Sequence, residues 1–84
     1  MPDAVQTVFE PAPETPWGAD IGSIHVSEAG IRAIRGDEET LAKGYKALGG
    51  KLDELFEDPA TTFERMTTDT RNVVATLVHR ASRG

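Results

Sequence analysis

Cysteine is absent from this 84-residue chain, which removes both a disulfide staple and a thiolate zinc site from the options of a small protein. No apolar run approaches the roughly 20 residues that a helix needs to cross a bilayer, so no membrane association is expected. The opening Met-Pro-Asp-Ala-Val lacks a basic region followed by an apolar stretch, and no secretory signal is expected from it. The expected location is the cytoplasm or the interior of a virion. Proline is nearly missing from most of the chain: Pro2, Pro11, Pro13 and Pro16 crowd the start, and only Pro59 follows. Because proline fixes φ and removes a backbone donor, the first stretch is barred from helix while the remainder is free to form it.

The sequence therefore divides into an extended arm over residues 1–23 and a small helical body over residues 24–84. The arm holds two features. Val5, Thr7, Val8 and Phe9 make a short β-prone patch suited to adding onto a sheet edge elsewhere. Glu10 to Gly18 then favours polyproline II followed by a turn, and carries Trp17, the only tryptophan.

Within the body, Ser27 is a good N-cap, with Glu28 in the first turn where the helix dipole favours an acid. Ile31 and Ile34 give a short helix over 27–35. Asp37 is placed to cap a second helix over 38–57, whose Leu41, Tyr45, Leu48, Leu52 and Leu55 recur at alternating intervals of four and three, with Phe56 beside them. Gly49-Gly50 interrupts that helix with a cost of about 2 kcal/mol relative to two alanines, marking either a break or a close backbone approach. Asp58-Pro59 reads as N-cap and first residue of a third helix over 59–81, with Phe63, Met66, Thr70, Val73 and Leu77 on its stripe and Val74 and Val78 widening it. The expected fold is all-α, a short helix packed on an antiparallel helical hairpin. The alternative is α+β with a C-terminal strand over 70–79, where β-branched residues are dense. A body of about sixty residues buries only roughly 60% of its unfolded surface, so a partner is expected to supplement its thin core.

The net charge of −5 hides an asymmetry. Residues 1–58 hold twelve acids against five bases, and residues 59–84 hold Glu64 and Asp69 against Arg65, Arg71, Arg80 and Arg83. An acidic chain is poorly suited to neutralising phosphates, so no direct nucleic-acid binding is expected. The basic tail, with Arg80 and Arg83, suits an acidic surface such as a neighbouring copy's first half.

Nothing marks a catalytic centre. His25 and His79 stand alone without the spaced ligands of a metal site. The Asp37-Glu38-Glu39 and Asp53 to Asp58 acids fit helix starts and solvated faces better than a cleft of paired carboxylates. Gly49-Gly50-Lys51 is followed by Leu52, which excludes the Walker pattern. No enzyme, cofactor or metal is expected. Trp17, flanked by proline and glycine, is either an anchor for a partner's pocket or a lid that folds back over its own thin core. The partner-binding candidates are Val8, Phe9, Pro13, Pro16, Trp17, Arg80 and Arg83.

Taken together, these features suggest a non-enzymatic structural or adaptor component of a larger assembly, a homo-oligomer or a small bacteriophage virion protein at the capsid or the head–tail junction. Two alternatives are an acidic inhibitor of a nucleic-acid-binding protein and a helical-hairpin subunit of a bacterial secretion heterodimer.

Overall fold

The computed structural model describes residues 17–83. The β-prone patch over 5–9, the proline-rich stretch over 10–16, and with them Val8, Phe9, Pro13 and Pro16, lie outside the described residues. About 75% of the structure is helical, in five helices beside a two-stranded antiparallel sheet.

The chain enters through a β-hairpin, β1 (Gly18–Ile21) and β2 (Ile24–Ser27), paired Gly18 to Ser27, Ala19 to Val26, Asp20 to His25 and Ile21 to Ile24. The two-residue turn Gly22-Ser23 closes it, with Gly22 at φ 60°. This hairpin lies across the boundary that proline density suggests at residue 23. Its helix-facing side carries the half-buried Ala19, Ile21 and Ile24 and the fully buried Val26, while Gly18, Asp20 and His25 are exposed.

Ser27 ends β2 and caps α1 (Glu28–Gly36), accepting a hydrogen bond from the Gly30 N–H at 3.1 Å. Ile31 and Ile34 are its buried residues. Asp37 stands at the N-cap position of α2 (Glu38–Leu48), but its carboxylate accepts from the Thr40 hydroxyl instead of a backbone N–H. Thr40 is fully buried, so this bond satisfies a polar group that would otherwise be costly inside the core.

The single helix expected over 38–57 is two helices. Gly49 adopts φ 59°, a positive φ that glycine enters without steric cost, and the helix ends there before α3 (Lys51–Glu57) begins. The break changes which residues face inward. Thr40, Gly44 and Leu48 are the buried positions of α2, and Tyr45, expected in the core, is 42% exposed. The interval pattern through Tyr45 assumes one continuous axis, which the glycine pair ends.

Asp58 accepts from the Thr61 N–H and Pro59 occupies the first turn of α4 (Pro59–Arg65). The expected third helix over 59–81 is also divided. Met66 is extended, with ψ 153°, and the Thr67 hydroxyl accepts from the Thr70 N–H to start α5 (Thr68–Arg83). The alternative strand over 70–79 is excluded, because those residues lie wholly within α5. Its buried side chains are Val74, Ala75, Leu77 and Val78, leaving Val73 37% exposed. β-Branched composition is overridden by the Thr67 cap and by packing on α1 and α2.

One core joins the elements: Val26 of β2, Ile31 and Ile34 of α1, Leu48 of α2, Leu52, Leu55 and Phe56 of α3, Phe63 of α4 and the four residues of α5. Helix α5 is its spine, in contact with α1, α2 and both strands.

Candidate interaction site

The residue with the strongest claim from sequence, Trp17, immediately precedes β1. Its carbonyl accepts from the Glu28 N–H at 3.3 Å, which carries the hairpin ladder one step further. Its half-buried indole meets the Phe63 ring edge-on, with centroids 5.2 Å apart and planes at 62°. Of the two roles left open for Trp17, packing against its own body is the one realised among the described residues.

The same contact involves Arg71, a residue that sequence reasoning counted only as a charge. Its Nε donates to the Phe63 carbonyl at 3.0 Å and its Nη2 to the Glu64 carbonyl at 2.5 Å. Both carbonyls lie in the last turn of α4, where the Phe63 oxygen also accepts from the Met66 N–H at 3.1 Å. The guanidinium carbon also lies 5.4 Å from the centre of the Phe63 ring. Arg71 thus ties the end of α4 to the first turns of α5 while stacking on the ring that receives Trp17. No spacing pattern in the sequence singled Arg71 out.

Trp17, Ala19, Phe63, Glu64 and Arg71 together line a groove of about 240 Å³. A second groove, of about 150 Å³, lies among Lys51, Glu54, Thr62, Arg65, Met66, Thr67 and Thr70. Both fall below the roughly 300–1,000 Å³ of small-molecule sites. A third concavity, of about 440 Å³, is lined by Thr76, His79, Arg80 and Arg83. All four belong to α5, so one helix face forms it and it stays open.

Arg80 and Arg83 therefore share that patch, and Arg80 is paired with Glu39 of α2 at 3.2 Å across an exposed surface. They are not brought beside Trp17: nine residues at about 1.5 Å each separate Arg80 from Arg71 along α5. The two ends of α5 are distinct surfaces, one apolar with an arginine clamp and one basic.

The hairpin's outer face holds a third arrangement. The His25 Nδ1 donates to Asp20 Oδ1 at 2.7 Å, across the strand pair. The His25 ring lies over Gly18 so closely that a Cβ there would come within 2.7 Å of its Cε1 and Nε2. Glycine at 18 is what admits the ring. On the opposite corner, the Tyr45 hydroxyl donates to Asp53 Oδ1 at 2.6 Å, bridging α2 and α3. That hydrogen bond is the main cause of a Tyr45 pKa above the ordinary 10.0.

Among the described residues, no group of three or more histidine or acidic side chains is placed to hold a metal ion, and no helix is long and apolar enough to cross a membrane. No protein-family model matches the chain, no curated protein matches its sequence, and no solved structure matches it.

Proposed function

We propose that this chain is a non-enzymatic structural or adaptor component of a larger assembly, docking on neighbouring subunits through its N-terminal arm. The observation that supports the reading most is the Trp17–Phe63 contact. It fixes Trp17, the first described residue, against the body, so the proline-rich sequence before it is tethered at a set point instead of a loose end. The basic patch of Arg80 and Arg83 offers a second contact for an acidic neighbour. The concrete form of this role is a small bacteriophage virion protein, capsid-associated or at the head–tail junction, with Val8, Phe9, Pro13 and Pro16 as arm contacts.

Particles purified from the source cells test the role. The chain should be present in fixed stoichiometry, and a full-length Val8→Asp/Phe9→Asp variant should be lost from the particles while keeping its thermal transition. A chain that never co-purifies with a particle, or a variant incorporated as well as the natural chain, overturns it.

A further inference from the structure

We infer that the outer edge of β1 is an acceptor for an added strand, and that its occupant is the Val5–Phe9 segment of a second copy of this chain. The inference rests on the arm-docking role proposed above and names the surface it uses.

The hairpin register determines which backbone groups are free. Ile21 and Ile24 flank a two-residue turn, so they form the first directly bonded pair, Ala19 and Val26 the next, and Trp17 with Glu28 the next. Gly18 and Asp20 therefore turn their N–H and C=O groups away from β2. Both residues are exposed, and among the described residues neither makes a backbone hydrogen bond outside the hairpin. Natural sheet edges are usually blunted by lysine, proline or a bulge. This edge has a glycine and an aspartate whose carboxylate is drawn across the strands to His25. A two-stranded sheet is marginal alone, and a third strand is the addition that stabilises such a sheet.

The donor is chosen by composition and reach. Val5-Gln6-Thr7-Val8-Phe9, five residues, is long enough to cover the four of β1, and its alternation puts Val5, Thr7 and Phe9 on one side. Seated on β1 with that side inward, it would extend the layer of Ala19 and Ile21. Antiparallel return onto the same chain's edge would require the backbone to reverse within Glu10–Pro16. Pro11, Pro13 and Pro16 have fixed φ, and Glu10, Ala12 and Thr15 each precede a proline and are held extended. Only Glu14 is unconstrained. At about 3.1 Å per residue these seven positions span about 22 Å, which carries the donor past its own four-residue strand to another molecule.

The absence of cysteine makes cross-linking unambiguous. Full-length Gln6→Cys, Thr7→Cys and Val8→Cys chains are each mixed with a mass-labelled full-length Asp20→Cys chain and oxidised, with Lys43→Cys on α2 as control acceptor. At least one arm position should give a mixed disulfide with Asp20→Cys at tenfold or more over the control. A full-length Val8→Pro chain should weaken self-association in sedimentation at least tenfold without moving the thermal transition. The inference is overturned by cross-linking at control level, by a Val8→Cys/Asp20→Cys double variant that closes within one chain at every concentration, or by unchanged self-association of Val8→Pro. A chain monomeric at all concentrations that still enters particles also overturns it while leaving the docking role standing. Failure of the docking role itself shows separately, as absence from particles.

Discussion

The Trp17 indole meets Phe63 edge to face, and the Arg71 guanidinium carbon lies 5.4 Å from the centre of the same Phe63 ring. The start of the hairpin is thereby fastened to the junction between α4 and α5. Trp17→Ala should cost about 1–3 kcal/mol in denaturant unfolding, because the indole is only half-buried, and Phe63→Ala about 3–5 kcal/mol. As the only tryptophan, Trp17 reports the contact directly. Phe63→Ala should shift its fluorescence to the red, and a natural chain already emitting like free tryptophan would contradict the packing.

Arg71 offers a sharper comparison. A lysine keeps the charge but cannot donate from a planar fork to two adjacent carbonyls. Arg71→Lys should lose about 1–2 kcal/mol, and Arg71→Met nearly the same, since the hydrogen bonds to Phe63 and Glu64 matter more than the charge. Equal stability of the lysine variant and the natural chain would show the fork to be dispensable.

Glycine substitutions in α1 separate packing from propensity. A Cβ on Gly30 would sit 2.8 Å from Val78 Cγ1, while one on Gly36 would meet nothing within 4 Å. Gly30→Ala forces α1 and α5 apart at a cost of about 1–3 kcal/mol, against about 1 kcal/mol gained in helix propensity. A net loss is expected. Gly36→Ala should be neutral or gain about 0.4–1 kcal/mol. Opposite ordering in thermal melts would refute the close α1–α5 approach.

The single tyrosine allows a clean titration. Its hydrogen bond to Asp53, and secondarily burial and the aspartate's charge, favour the neutral phenol in the folded chain. Ionisation by ultraviolet absorbance should thus begin above the usual 10.0, and Asp53→Asn should bring it down. The raised value means the folded chain holds this proton more tightly than the unfolded one. Its contribution to stability is complete below pH 10 and fades as pH climbs through the folded value. A natural chain and an Asp53→Asn variant that titrate together would remove the interaction.

The caps were legible from composition alone, because Ser27 and Asp58-Pro59 act through local hydrogen bonds and a fixed φ that need no distant partner. The inward faces were legible in part: Leu48, Leu52, Leu55, Phe56, Phe63, Val74, Leu77 and Val78 are buried where their spacing placed them, while Tyr45 and Val73 are exposed. Periodicity through Leu41 and Tyr45 extrapolates along one axis, and Gly49 ends that axis only once Leu52 has a core to enter. The same holds at Met66-Thr67, where the stripe shifts from Val73 to Val74 and Ala75. The hairpin did carry a local sign, Gly22-Ser23 between two apolar pairs, but proline density drew the boundary through it. Of the candidate site, Trp17's importance was visible and its contact was not: no spacing rule links it to Phe63 or to Arg71.

The tie between Trp17 and Phe63 also sets the order in which the chain can reach its native state. α1 and α2 are neighbours in sequence and close small loops, as do α3 and α4, whereas docking Trp17 onto α4 must first bring nearly the whole body together. Helix signals should accordingly mature before the indole signal in a stopped-flow experiment. Tryptophan fluorescence then times completion of folding rather than its onset.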